Sequence, residues 1–180
     1  HRSGHSFPTR RSSDLIKDLM IKDNVNLTTI ELDEGDKIPE DLSNYDAMFC
    51  MGGPMDTWME KDYPWLIEEK KRIKEFVVDL KKPYLGFCLG CQLLGEVAGG
   101  LVTKSNNPEI GMLDINFSDN KKSDLLFSQF PDQIKSLQWH SYEVQELEKN
   151  KDITLLASSP ETKYQIFKYQ NHAYGIQFHI

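Results

Sequence analysis

Residues 83–100 read Pro-Tyr-Leu-Gly-Phe-Cys-Leu-Gly-Cys-Gln-Leu-Leu-Gly-Glu-Val-Ala-Gly-Gly, and the fold turns on this stretch. Pro83 to Phe87 is a short apolar run of the kind that forms a buried strand. It passes directly into Leu89 to Ala98, which reads as a helix closed by Gly99-Gly100, since glycine is favoured just past a helix end. Between them, Gly86-Phe-Cys-Leu-Gly90 fits the nucleophile elbow, G-x-nucleophile-x-G, a strained turn from strand to helix. Such a turn stands Cys88 out of the sheet, and the helix N-terminus behind it favours thiolate, the reactive form. The backbone N–H of Leu89 is placed to stabilise an oxyanion.

Working outward, Tyr45 to Met51 runs apolar into Gly52-Gly53-Pro54, as a buried parallel strand ending in a tight loop does. Pro64 to about Lys81 predicts an amphipathic helix, with Trp65, Leu66, Ile73, Phe76, Val77 and Leu80 at helical spacing and proline in the first turn. Residues 16–24 read as a helix, and Val25 to Leu32 alternates as a strand before a polar, turn-rich segment. Downstream, Ile110 to Phe117, Ile134 to Val144, Ile153 to Ala157, Tyr164 to Tyr169 and Tyr174 to His179 read as strands. Alternating strands and helices followed by several β runs predict a three-layer α/β sandwich with a mostly parallel central sheet.

The length of 180 residues suits one domain, and 39% hydrophobic with 27% charged residues is a globular composition. A formal charge of -7 argues against a nucleic-acid partner, whose footprint is basic, and no apolar stretch is long enough to span a membrane. Three cysteines, Cys50, Cys88 and Cys91, suit a reducing cytoplasm better than a disulfide framework. The two ends read differently from the rest. Residues 1–15 hold three of the four arginines, and Ser6 to Leu15 matches the translation of a common sequencing-adapter read, so this segment is expected to be an artefact rather than part of the domain. A short basic targeting arm is the competing reading. Without it the charge is -9, so the acidity belongs to residues 16–180. At the other end the apolar run Tyr174 to Ile180 stops without a turn, and truncation is expected there too.

A cysteine nucleophile needs a base. His179 ends the last apolar strand, where a parallel sheet presents functional groups at its carboxyl edge. His140, in Gln138-Trp-His-Ser-Tyr142, competes for that role, while His172 sits in a polar turn and is expected to be exposed. A lone histidine is more often structural than catalytic. Cys88-Leu-Gly-Cys91 is also a C-x-x-C, which can mark a redox pair or half a metal site. No second C-x-x-C accompanies it, so Cys91 reads as a packing residue and Cys50 as a strand-core residue. No metal or cofactor is called for, and no phosphate-binding loop appears.

Gly52-Gly-Pro54, Tyr63-Pro-Trp-Leu with Glu69-Lys, Gly86-Phe-Cys-Leu-Gly-Cys-Gln-Leu-Leu94, Gly99-Gly100, Gln138-Trp-His-Ser141 and Gly175-Ile-Gln-Phe-His179 follow one another in the order found in the class I glutamine amidotransferases. Over nearly all of residues 16–180 the chain resembles that family, especially free-standing relatives of the GMP synthase glutaminase domain. The resemblance implies a flavodoxin-like fold and a glutaminase that turns glutamine into glutamate and ammonia, with a separate synthetase or other acceptor taking the ammonia. It implies that Cys88 is the nucleophile, His179 the acid and base, and the N–H groups of Gly53 and Leu89 the oxyanion hole. Gly52, Gln92 and the backbone around Ser141 and Tyr142 match positions that hold the substrate. Two departures stand out. The family's orienting glutamate lies two residues beyond the histidine, past Ile180, and adapter sequence stands where its first strand belongs, which predicts a poorly stable chain. A γ-glutamyl peptide hydrolase and a non-catalytic module on the same fold are the alternatives.

Overall fold

The computed structural model describes residues 8–179, with side chains from residue 15 onward. The expectations for residues 1–15 and for the end at Ile180 therefore lie largely outside the described residues. The chain opens with helix α1, Pro8–Lys22, and continues through strand β1, Met48–Cys50, to helix α2, Trp65–Lys74. Pro64 caps α2, and a π-helical turn at Glu75–Asp79 extends it, so the predicted amphipathic helix forms over nearly its full length. Leu66, Ile73, Phe76 and Val77 are its buried stripe. Strand β2, Tyr84–Phe87, then leads into helix α3, Leu89–Val97. The second half is five strands: β3 Leu101–Phe117, β4 Gln133–Gln145, β5 Ile153–Ser158, β6 Ile166–Tyr169 and β7 Ala173–Ile176.

All seven strands form one sheet, in the order β1-β2-β7-β6-β5-β3-β4. Here the structure corrects the expectation of a mostly parallel sheet. Only β1 with β2 and β2 with β7 pair in parallel; the four remaining pairings are antiparallel. The reason is local. After α3 no crossover helix follows among the described residues, so consecutive strands such as β5–β6 and β6–β7 pair antiparallel through short turns. Val25 to Leu32 is a second correction, because it forms no strand. Alternation alone does not make one: β1 is the sheet edge on that side, and no described strand pairs with the segment.

The central strands β2 and β7 are buried on both faces. Tyr84 and Ala173 face a cluster with Leu66, Ile73, Val77, Leu93 and Leu94 from α2 and α3. Phe87, Tyr174 and Ile176 face a second cluster with Ile115, Leu156, Ile166 and Phe178, against which Ile16 of α1 packs. The long β3–β4 hairpin then curls back. Although β4 is last in the sheet order, Leu137 makes an antiparallel bridge with His179 and Val144 packs in the α3 cluster. That curl carries residues 136–144 to the carboxyl ends of β2 and β7.

Candidate active site

Cys88 sits between β2 and α3 with φ 49° and ψ -102°. For a residue with a Cβ this is a strained conformation that its surroundings must impose. They do so from both sides. The Cys88 N–H donates to the Ile176 carbonyl at 2.8 Å, and the Cys88 carbonyl accepts from the Gln92 N–H at 3.1 Å. The flanking glycines are required by close approach: a Cβ on Gly86 would strike the Gly90 carbonyl, and one on Gly90 would strike the Cys50 carbonyl. The helix thus starts directly against two strands, with the thiol at its head.

The thiol is nearly enclosed, 8% exposed. Burial pushes it up to about 11; the Leu89 N–H and Gln177 pull the other way, and the nearby Asp56 carboxylate adds to the rise. The sequence expectation that the helix N-terminus favours thiolate is outweighed here by burial. A helix terminus contributes at most about 2 kcal/mol, and loss of solvation at an enclosed site exceeds it. With the thiol raised, attack by the sulfur would require a base to take its proton.

His179 is placed to be near it by topology. Phe87 of β2 pairs with Ile176 of β7 in parallel register, so Cys88 and His179 follow the carboxyl ends of adjacent strands. The His179 backbone is fixed by its N–H donating to the Leu137 carbonyl at 2.9 Å and its carbonyl accepting from Ser136 Oγ at 3.1 Å. Burial holds its imidazole below the ordinary histidine value; the charge of His140 acts in the same direction, and the Trp139 carbonyl acts against it. Among the described residues no hydrogen bond joins His179 to Cys88. The side chain facing the sulfur is Gln177, whose Nε2 lies 3.8 Å from Sγ.

Gln92 and Gln177 form one chain. Gln92 Nε2 donates to the Tyr142 carbonyl at 3.1 Å and to Gln177 Oε1 at 3.2 Å. The residues singled out in the sequence as Gln92, Tyr142 and Cys88 are therefore linked through Gln177. Gly53 is also brought in, since a Cβ on it would lie 3.2 Å from Leu89 Cδ2, and Gly52 precedes it in the same loop after β1. Ser141 is half-buried in β4, and the Tyr142 ring packs on Trp58, ring centroids 4.4 Å apart. His140 is tied into a buried polar cluster with Gln138 and Glu109. His172 is not simply exposed: it is half-buried, its Nε2 2.9 Å from the Val77 carbonyl. Cys50 and Cys91 are buried free thiols, both pushed well up by burial.

Three residues near the site escaped the sequence reading. Gln177 could have been found, because it is a polar residue within an apolar run, two positions from His179. Asp56 had no signal, lying in an irregular loop. Glu109 faces His140 directly across the β3–β4 ladder, and that register depends on a shift between Lys104 and Glu109 that no local pattern announces.

Among the described residues no helix is long and apolar enough to cross a membrane. Residues 12–179 match the family model described as glutamine amidotransferase class-I. The chain is 32% identical over 151 residues to a glutamine-hydrolyzing GMP synthase subunit of Saccharolobus solfataricus, covering 83% of this chain and 74% of that protein. It is 31% identical over 143 residues to gamma-glutamyl peptidase 5 of Arabidopsis thaliana, covering 78% of this chain and 55% of that one. The crystal structure of a glutamine amidotransferase from Thermotoga maritima superposes with a TM-score of 0.81 at 28% identity, over 92% of this chain and 69% of the other. By the span of the family match and the identity to a relative mostly covered, this chain belongs to the class I glutamine amidotransferases.

Proposed function

We propose that the chain is a glutaminase that hydrolyses glutamine to glutamate and ammonia through a thioester on Cys88. The observation that carries this reading is the strained Cys88 at the head of α3, held between two glycines that cannot bear a side chain. Because the thiol rests protonated, the first step is proton transfer to His179, which burial keeps neutral and able to accept. The sulfur attacks the glutamine carboxamide carbon. The carbonyl oxygen takes the negative charge and is met by the N–H groups of Gly53 and Leu89. Collapse breaks the C–N bond, with His179 returning the proton so that ammonia leaves. Water, deprotonated by His179, then opens the thioester, releasing glutamate and restoring the thiol. Glutamine and water balance the reaction, and no cofactor enters it.

Gly52, Gln92, Ser141 and Tyr142 are assigned to holding the amino-acid end of the substrate, and a separate synthetase is assigned to receiving the ammonia. The Saccharolobus solfataricus relative, named as one subunit of a GMP synthase, supports the second assignment. The test is glutamate release from glutamine by the wild type and by Cys88→Ala, with a γ-glutamyl peptide as the competing substrate. Release from glutamine that disappears in the variant is expected. A folded wild type that cleaves the peptide and leaves glutamine intact would overturn the reading in favour of a peptidase.

A further inference from the structure

Beneath the site lies a buried polar cluster for which the proposed reaction has no use. Glu109 is 2% exposed, His140 6%, and Gln138 and Gln165 are fully buried. Glu109 Oε2 accepts from Gln165 Nε2 at 2.7 Å, and the same amide nitrogen lies 3.1 Å from Ser159 Oγ. Gln165 Oε1 accepts from Gln138 Nε2 at 3.2 Å. Gln138 Oε1 lies 3.0 Å from His140 Nε2, which is also 3.3 Å from Glu109 Oε2. On the other side of the ring, His140 Nδ1 lies 3.1 Å from the Tyr142 carbonyl.

The hydrogen-bond directions in this ring are not free. A carboxylate only accepts, so the Gln165 NH2 must face Glu109 and its oxygen must face Gln138. The Gln138 NH2 must then face Gln165, which turns its oxygen towards His140 Nε2. Nε2 therefore meets two acceptors, and Nδ1 meets a third, the Tyr142 carbonyl. A neutral imidazole has one N–H and one lone pair. Either tautomer would press that lone pair against an acceptor inside a buried cluster, leaving an unsatisfied polar contact. Protons on both nitrogens satisfy every contact.

We infer that His140 is a positioning residue held as an imidazolium by Glu109, directly and through the Gln165–Gln138 relay. Its Nδ1–H anchors the Tyr142 carbonyl that Gln92 also binds, and its charge, on the strand whose Leu137 carbonyl accepts the His179 N–H at 2.9 Å, discourages protonation of that imidazole. Glu109 is suited to the role. Burial alone would raise its carboxyl, but the His140 imidazole 3.3 Å from Oε2, and its charge, hold it below the usual range. Glu143 on β4 and His179 beyond β7 are the other ionisable groups that sense His140; burial pushes the Glu143 carboxyl up, and it is Glu109, 3.3 Å from His140 Nε2, that lies in direct contact with the ring. The link to His179 rests on the proposed glutaminase reading, whereas the charge state of His140 does not.

Nitrogen-15 NMR of the labelled protein at pH 7.5 tests it. The expected result is two protonated ring nitrogens for His140; a single N–H with one bare nitrogen overturns the inference. In Glu109→Gln, which keeps the shape of the network, His140 is expected to become neutral, and persistence of the imidazolium would overturn the part given to Glu109. The acid limb of kcat/KM for glutamine is expected to rise by on the order of one pH unit in that variant, because the like charge beside His179 is gone. An unmoved acid limb with a neutral His140 would overturn the coupling to His179. Absence of glutaminase activity with an imidazolium present would instead count against the glutaminase.

Discussion

The residue assigned as nucleophile is pushed by burial toward its less reactive form. With the thiol at about 11, the thiolate fraction at pH 7 is about one part in ten thousand, so reactivity has to be created when substrate arrives. Iodoacetamide labelling of the free protein at Cys88 should therefore be slow at pH 7 and climb about tenfold per pH unit up to pH 10. Mass spectrometry of the modified peptide reports it, and a rate that levels off near pH 8 would show that the helix N-terminus outweighs burial after all. Gln177 bears on the same balance, since its amide faces the sulfur and lowers the thiol. Gln177→Leu removes that donor and leaves the Gln92 Nε2 without one acceptor. Labelling at pH 9 should fall severalfold in this variant, with about 1 kcal/mol of stability lost.

At the scale of elements, the elbow is a contact among backbones, so its tolerance is set by atoms without side chains. Gly90→Ala places a methyl group on the Cys50 carbonyl, and α3 has to move away from β1 to admit it. A loss of about 3 kcal/mol in denaturant unfolding is expected, together with loss of glutamate release. The loop from Asp56 to Glu60 is held differently: Thr57 Oγ1 donates to Glu96 Oε1 at 2.6 Å, and Lys70 bridges Glu60 and Glu96, both at 2.9 Å. This clamp sets Trp58 against Tyr142. Thr57→Val should loosen it, raising KM for glutamine about tenfold, some 1.4 kcal/mol, while kcat changes by less than about twofold. These elements also mark what could be read in advance. The strand, elbow and helix from Tyr84 to Val97 were legible because glycine spacing and apolar periodicity are local properties of the chain. The clamp, the Gln92–Gln177 link and the Glu109–His140 pair were not, because each joins residues far apart in sequence through a register or a curl. The parallel bias failed for the same reason: strand direction follows from connections, and the five strands after α3 read alike whichever way they run.

Across the whole molecule, the described structure has one edge that its own strands leave open. β1 is three residues long and pairs on one side only, with β2. Phe49 on it is 38% exposed, and Leu19, Ile21 and Val25 on the same part of the chain are half-exposed or more. An unpaired edge strand with apolar side chains is a template for pairing with another chain, and three residues bearing no charge do little to discourage it. At the opposite end of the sheet the β3–β4 hairpin curls back onto β7, so that edge is tied into the site by Leu137 and Ser136. The asymmetry predicts that association, where it occurs, uses the β1 edge and leaves Cys88 free. Sedimentation velocity at rising concentration should show reversible self-association that Phe49→Lys weakens by about tenfold in Kd, with glutamate release per chain unchanged. If Phe49→Lys associates as strongly as the wild type, or if association itself suppresses glutamate release, the contact lies on another face and the β1 edge is protected by means other than its own sequence.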